Sequence, residues 1–187
     1  LLLSLHSMDE ELELGKTRDV FVSGSWRDDP ETEAWLMNAV CQTAKKQGFR
    51  LIGDSPDQQG FDGGDRVKEI ISSCGGVIAI LPDRGGGKTS KYMIQELEIA
   101  KSLALPYVII AEETVEVSED LIQGAIATVR ISKAKMEEKA DLSKTFQPSL
   151  AELKEQWKNP PAPHFVFYGT DFNDEHKTRI QMVKRII

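Results

Sequence analysis

The chain has 187 residues, and 23 Lys and Arg against 30 Asp and Glu give it a formal net charge of −7. Apolar residues make up 40% of the chain, which excludes a largely disordered protein and allows one sizeable core. An acidic chain without a Lys/Arg cluster is a poor binder of phosphate backbones, so we expect no nucleic-acid partner.

The beginning of the chain is apolar but too short to span a bilayer, and no basic region precedes it. We expect residues 1–18 to form a disordered lead-in, with a truncated signal remnant as the alternative. Cys41 and Cys74 are too few for a disulfide framework, and neither has a metal-ligand spacing. These features predict a cytoplasmic protein from a reducing compartment, with no membrane partner and no metal.

Strand and helix signals then alternate from residue 19 to 132. The predicted strands are 20–23, 49–52, 77–81, 107–110 and 128–131. The predicted helices run from Asp29-Pro30 to Gly48, across 67–74, from Ser90 to about Leu103, and onward from Ser118. Strands that alternate with helices of this length predict an α/β fold with a parallel, doubly wound sheet. Ligands of such sheets bind beyond the carboxyl ends of the strands, where the loops 23–29, 53–64 and 82–90 would meet.

The remaining chain has a different composition. Charged residues dominate 133–158, which predicts one or two solvated helices that pack on the sheet edge or bridge to another domain. The Pro-rich segment 159–163 predicts a stiff linker. One strand and one helix follow in 164–187, and they cannot bury a core by themselves. We expect a second α/β unit to begin there, with docking onto the first sheet as the alternative.

A glycine-rich loop, 85–90, separates the third strand from the third helix. A P-loop follows the pattern G-x-x-x-x-G-K-[ST], but here Pro82 occupies the place of the first glycine. Two alternatives remain: a flexible loop with a helix N-cap at Ser90, or a set of exposed amides that cradle the diphosphate of some other nucleotide.

Residues 90–97, SKYMIQEL, resemble the S-x-W-C-x-x-E-L signature of TIR (Toll/interleukin-1 receptor) domains. Tyr92 takes the aromatic position and Met93 the cysteine position. The tripeptide 21–23, FVS, resembles the first-strand box of that family, and the resemblance covers about residues 19–132. It implies a flavodoxin-like sheet of five parallel strands, for which we expect the order 2-1-3-4-5.

The resemblance also implies cleavage of NAD+, with Glu96 as the catalytic glutamate. Breaking the nicotinamide–ribose bond develops an oxocarbenium-like cation, which a nearby carboxylate stabilises. NAD+ is then a substrate, and the reaction needs no cofactor. TIR assemblies typically build the site across two subunits, so the resemblance further implies self-association, in the N-terminal domain of a larger protein of the immune-effector type.

Several residues around the predicted crevice are candidates for binding the nucleotide. These candidates are Ser23, Ser25, Trp26, Arg27, Asp54, Phe61, Ser90 and Tyr92. The family often has an aromatic and a basic residue directly after the first-strand serine, whereas here Gly24-Ser25 comes before Trp26-Arg27. Trp26 could stack on a base or anchor the loop, and Arg27 could pair with the diphosphate. Asp54 could bind ribose or cap its loop.

Two other families resemble parts of the same chain. The segments 75–81 and 96–100 are also similar to nucleoside 2-deoxyribosyltransferases, and more distantly to phosphoribohydrolases. Both families use a glutamate at an N-riboside. A nucleoside N-glycosidase or transferase therefore remains an alternative, as does a non-catalytic TIR-type module that signals by self-association.

Overall fold

The computed structural model describes residues 18–24, 31–53, 63–139 and 141–158. The strands are β1 Arg18–Ser23, β2 Phe49–Ile52, β3 Val77–Leu81, β4 Tyr107–Glu112 and β5 Ala127–Ile131. The helices are α1 Glu31–Lys46, α2 Gly63–Ser72, α3 Lys91–Ser102, α4 Glu119–Gly124, α5 Lys133–Glu137 and α6 Ser143–Gln156. The sheet order is β2-β1-β3-β4-β5 and every neighbouring pair is parallel, which confirms the predicted flavodoxin-like, doubly wound α/β fold.

The sheet separates two apolar cores because successive side chains of a strand point to opposite faces. Val20 and Val22 of β1 belong to the core that α1, α5 and α6 cover. Phe21 of the same strand belongs to the other core, which α2, α3 and α4 cover. All five residues of β3 are buried, as the uninterrupted apolar run predicts for a central strand.

The charged segment 133–158 forms two helices that pack on the sheet, which agrees with one of the two predicted arrangements, but α6 is not solvated on all sides. Phe146, Leu150 and Leu153 of α6 are fully buried in the core shared with α1. These residues follow a spacing of four and three, so they form one face of the helix and leave the charged residues on the other. The segment thus completes a helical layer on the sheet.

Two hydrogen bonds fix the chain just after α6 at the amino edge of the sheet, and a third joins their acceptor residues. The Trp157 indole N–H donates to the Asp19 carbonyl at 3.0 Å. The Lys158 amide donates to the Gly75 carbonyl at 3.0 Å, and the Gly75 amide donates to the Asp19 carbonyl at 2.9 Å. A Cβ at Gly75 would overlap with the Lys158 carbonyl oxygen and the Trp157 indole. Only glycine therefore allows this close approach.

The spacing of the apolar residues in the sequence predicts a buried stripe on α3 formed by Met93, Leu97, Ala100 and Ala104. The first three are buried, but Ala104 lies beyond the helix and is exposed, so this one position is predicted wrongly. The helix ends at Ser102, and Ala104 adopts a positive φ of 50° that turns the chain toward β4.

Several expectations lie outside the described residues. These are the lead-in up to residue 17, the helix start at Asp29-Pro30, the linker 159–163 and the further unit 164–187. Among the helices that are described, none combines the length and the apolar character needed to cross a membrane.

Replacing Gly75 by Ala should destabilise the fold by about 2 kcal/mol or more, because overpacking a tight contact forces the backbone apart. Urea unfolding at equilibrium measures this. The exposed Ser73 in the same turn is the control, and Ser73→Ala should change the free energy of unfolding by less than about 0.5 kcal/mol. Equal stability of the two variants would contradict the close packing of Trp157 on Gly75.

Candidate functional site

The candidate site lies where the winding of the sheet reverses. β1 and β3 are neighbours, and Ser23, the last residue of β1, pairs with Ala79 in the middle of β3. The helix after β1 covers one face of the sheet, whereas the helix after β3 covers the other. Such a reversal opens a crevice at the carboxyl edge, and doubly wound proteins bind their ligands there.

A hydrogen bond across this point joins two predicted site residues. The Ser23 hydroxyl donates to Glu96 Oε2 at 2.5 Å. Ser23 is the last residue of β1 and only 1% exposed, and its side chain points to the same face as Phe21. Glu96 is half-buried on α3, next to the buried Leu97 that holds this helix on the sheet. Packing of α3 thus brings a carboxylate to the end of β1.

The other described candidates lie at the start of the same helix. Ser90 is the N-cap of α3, and its Oγ accepts a hydrogen bond from the Tyr92 amide at 3.3 Å. The Tyr92 ring is 64% exposed, and the Lys91 ammonium lies 5.3 Å from its centroid. Tyr92 precedes Glu96 by four residues, so both lie on the same side of α3. Glu98, by contrast, is exposed.

Five predicted binding residues lie outside the described residues. They are Ser25, Trp26, Arg27, Asp54 and Phe61. Of the nine predicted site residues, the structure therefore describes four, Glu96, Ser23, Ser90 and Tyr92, and it brings the first two into direct contact.

The glycine-rich loop does not present its amides as a diphosphate cradle. The Asp83 carboxylate accepts hydrogen bonds from the amides of Gly85 at 2.8 Å and Gly87 at 3.1 Å. The Thr114 hydroxyl donates to the same carboxylate at 2.7 Å. The Asp83 amide in turn donates to the buried Glu112 carboxylate at 2.9 Å. The loop's own aspartate thus occupies two of the amides that a phosphate would need, so this alternative from the sequence is wrong.

A second polar contact at the carboxyl edge was not predicted. The Arg84 guanidinium donates through Nη2 to Glu33 Oε2 at 3.2 Å. Glu33 lies in the first turn of α1, where the sequence suggests only a favourable interaction with the helix dipole. The available signal for Arg84 was its position, because it is a basic residue just after a buried strand in a loop that lines the predicted crevice.

Neither cysteine is suited to nucleophilic chemistry. Burial raises the pKa of the Cys74 thiol to about 12 and also raises the pKa of Cys41. Reactive cysteines have a lowered pKa and some exposure, and both of these are buried. Across the described part of the chain, no group of three or more His, Cys, Asp and Glu side chains is placed to hold a metal ion.

Comparisons with known proteins give similarity only at the level of structure. No protein-family model matches the chain, and no curated protein has a matching sequence. The CMP N-glycosidase of Clostridium botulinum is similar over 70% of this chain and 98% of its own, with 16% identity and a TM-score of 0.48. Flavodoxin 1 of Bacillus cereus is similar over 75% and 99%, with 10% identity and a TM-score of 0.44.

A third similar structure is the flavodoxin of Fusobacterium nucleatum bound to flavin mononucleotide. It matches over 75% of this chain and 98% of its own, with 10% identity and a TM-score of 0.43. With identities and TM-scores this low, the fold assignment rests on the strand order itself, and any functional assignment has to rest on the site.

Hydrogen bonds to the Asp83 carboxylate lower its pKa, and the Thr114 hydroxyl is the largest cause. The pKa of Asp83 is lower in the folded protein than in the unfolded chain. The carboxylate therefore contributes fully to the order of the loop above a pH of about 3.9, which is the pKa of a free aspartate. This contribution is lost as the pH falls through the lower pKa of the folded protein. Thr114→Val should move this midpoint upward. The Gly87 amide chemical shift, followed by NMR against pH, measures it.

The same substitution at Thr128 is the control, because its buried hydroxyl has no hydrogen-bond partner among the described residues. Thr128→Val should leave the midpoint of Asp83 where it is. A midpoint that shifts equally in both variants, or in neither, would contradict the role of Thr114.

Proposed function

We propose that this chain is an N-glycosidase that cleaves the bond between ribose and base in a nucleotide, with NAD+ as substrate and nicotinamide as leaving group. The observation that carries the proposal is the hydrogen bond from Ser23 to Glu96. It holds a half-buried carboxylate at the end of β1, where this strand runs alongside β3.

The chemistry needs one well-placed negative charge. As the bond between C1′ and the nicotinamide nitrogen breaks, its electron pair leaves with nicotinamide, which departs neutral from a cationic substrate. The ribose carbon becomes an oxocarbenium-like cation that the Glu96 carboxylate stabilises in a crevice of low dielectric. Water then adds to C1′ and releases a proton, so the products are ADP-ribose, nicotinamide and H+.

Ser23 would act by positioning this carboxylate. Its hydroxyl donates to one carboxylate oxygen, and hydrogen bonds to charged groups are shorter and stronger than neutral ones. Because Ser23 is itself buried at the end of a strand, it provides a rigid reference point. The carboxylate is thereby kept in one orientation before the substrate binds, as preorganised electrostatic stabilisation requires.

The TIR resemblance supports the choice of substrate. The two stretches that carry it, residues 21–23 and 90–97, each contribute one partner of the Ser23–Glu96 hydrogen bond. By the same resemblance, this would be the N-terminal domain of a larger effector-type protein, and self-association would complete the site.

A non-catalytic self-association module is the second candidate. Tyr92 favours this second candidate, because among the described residues it is the one large apolar side chain that is mostly exposed. Exposed aromatic side chains are common at interfaces. Incubation with NAD+ and a panel of nucleosides separates the candidates. Release of nicotinamide supports the proposal, release of a base from nucleosides alone supports a nucleoside N-glycosidase, and a concentration-dependent oligomer without turnover supports the module.

Glu96→Gln should lower the turnover of NAD+ at least ~100-fold, or roughly 2.7 kcal/mol, because the amide keeps the size but removes the charge. Nicotinamide release under saturating NAD+ measures it. The matched control is Glu98→Gln on the same helix. Because the Glu98 side chain is exposed to solvent, this substitution should leave turnover nearly unchanged. Equal turnover of the two variants would leave the proposal without its central residue.

Ser23→Ala should lower turnover about 10-fold, less than the loss of the carboxylate, because one positioning hydrogen bond is worth about 1–2 kcal/mol. Ser102→Ala is the control: this exposed hydroxyl also donates to a single oxygen, the Ile99 carbonyl, but lies at the far end of α3. An unchanged rate in Ser23→Ala would show that the hydrogen bond to Glu96 has no part in turnover.

A further inference from the structure

Two polar contacts flank the end of β1, one on each face of the sheet. Ser23 and Glu96 meet on the face that α3 covers. Arg84 and Glu33 meet near the beginning of α1, the helix that covers the opposite face. Ser23 is the last residue of β1, and Arg84 and Glu33 lie in the loop after β3 and in the first turn of α1. A ligand at the carboxyl edge beside the end of β1 would therefore lie between the two contacts.

The packing around Gly24 shows where the Glu33–Arg84 pair lies relative to the end of β1. A Cβ at Gly24 would lie 2.9 Å from Met37 Sδ, so α1 passes directly beside the end of β1. Glu33 precedes Met37 by one turn, which places it about 6 Å farther along the helix axis, beyond the strand end. The Glu33–Arg84 pair therefore lies just outside Gly24, on the rim of the crevice.

We propose that Arg84 is the phosphate-binding residue of this site, and that Glu33 positions its guanidinium. This inference rests on the proposed function and specifies its substrate class. The substrate is a nucleotide that carries a phosphate on the ribose whose cation Glu96 stabilises, rather than a free nucleoside. The shared chemistry is a 5′-phosphate, whether in a mononucleotide or in the diphosphate of NAD+.

Arg84 has the chemistry and the exposure that this role needs. The described hydrogen bond of its side chain uses Nη2 alone, and the side chain is 35% exposed. The other N–H groups of the planar guanidinium can then meet two phosphate oxygens at once. Glu33 is only 8% exposed, so the carboxylate that orients Arg84 is itself held in place by packing.

Hydrogen bonds within the loop engage several of the backbone amides around Arg84. The Arg84 amide donates to the Lys88 carbonyl at 2.7 Å, which fixes the backbone from which the side chain extends. The amides of Gly85 and Gly87 are engaged by Asp83 and are not presented to a ligand. An anion in this part of the crevice therefore depends on a side chain rather than on the backbone.

The experiment compares two substrates, one with and one without the phosphate, in proteins with and without the Arg84 side chain. We would measure kcat/KM for nicotinamide mononucleotide and for nicotinamide riboside, which differ only in the 5′-phosphate. Arg84→Gln should lower kcat/KM about 100-fold for the mononucleotide and less than about threefold for the riboside, because only the first substrate loses a charge-assisted contact. Lys88→Gln is the matched control in the same loop and should change either value less than about threefold.

Folding has to be controlled, because removing Arg84 leaves a buried carboxylate without its partner. The double variant Glu33→Gln/Arg84→Gln removes both charges and should show the same loss for the mononucleotide with near wild-type thermal unfolding. If either well-folded variant loses activity equally on both substrates, or if Lys88→Gln matches Arg84→Gln, the assignment of Arg84 is overturned and the Glu96 chemistry is untouched.

A wild-type protein that cleaves neither of these substrates and also leaves NAD+ intact would instead contradict the proposed function. Binding then tests Arg84 separately, through calorimetric titration with ADP-ribose. A Kd at least about tenfold weaker in Arg84→Gln supports the phosphate site, since loss of one charge-assisted contact is worth that much. Equal affinity of the two proteins, or no binding by the wild type, overturns it.

Discussion

The hydrogen bond between the Ser23 hydroxyl and the Glu96 carboxylate depends on the winding of the sheet at β1 and β3. The helix that follows β1 packs on one face of the sheet, and the helix that follows β3 packs on the other. Ser23 ends β1 with its side chain toward α3, while Gly24 turns toward α1 and lies against Met37. The partners are 73 residues apart in sequence, so only this winding brings them together. The crevice, its carboxylate and its rim therefore all follow from one reversal in the strand order.

At the carboxyl edge of the sheet, some polar groups hold the glycine-rich loop in place and others stay accessible to a ligand. The Asp83 carboxylate accepts hydrogen bonds from two amides of the glycine-rich loop, and the Asp83 amide donates to Glu112 at the end of β4. The loop thus gains its order from internal hydrogen bonds and leaves Arg84 exposed at its surface. The Glu96 carboxylate and the Arg84 guanidinium at this edge have the chemistry that cation stabilisation and phosphate binding need.

The sequence was sufficient for the fold because its strands carry strong local signals, above all the buried run of β3. It was less informative for α6, whose charged residues concealed a buried face formed by Phe146, Leu150 and Leu153. The sequence indicates that Glu96 flanks the apolar stripe of its helix, but its catalytic role was predicted from the resemblance, since a helical glutamate has no local signature. Contacts between distant residues, such as Arg84 with Glu33 across 51 positions, have no sequence pattern at all.

The central claim is that the carboxylate at the β1/β3 reversal faces the ribose of a bound nucleotide. A crystal structure of the Glu96→Gln variant with intact NAD+ tests this most directly, because the substitution should preserve the shape of the crevice while slowing cleavage. The account predicts that C1′ of the nicotinamide ribose lies in contact with the Gln side chain and that the diphosphate lies beside Arg84. A nicotinamide ribose bound away from this helix, or NAD+ bound at another edge of the sheet, would contradict it.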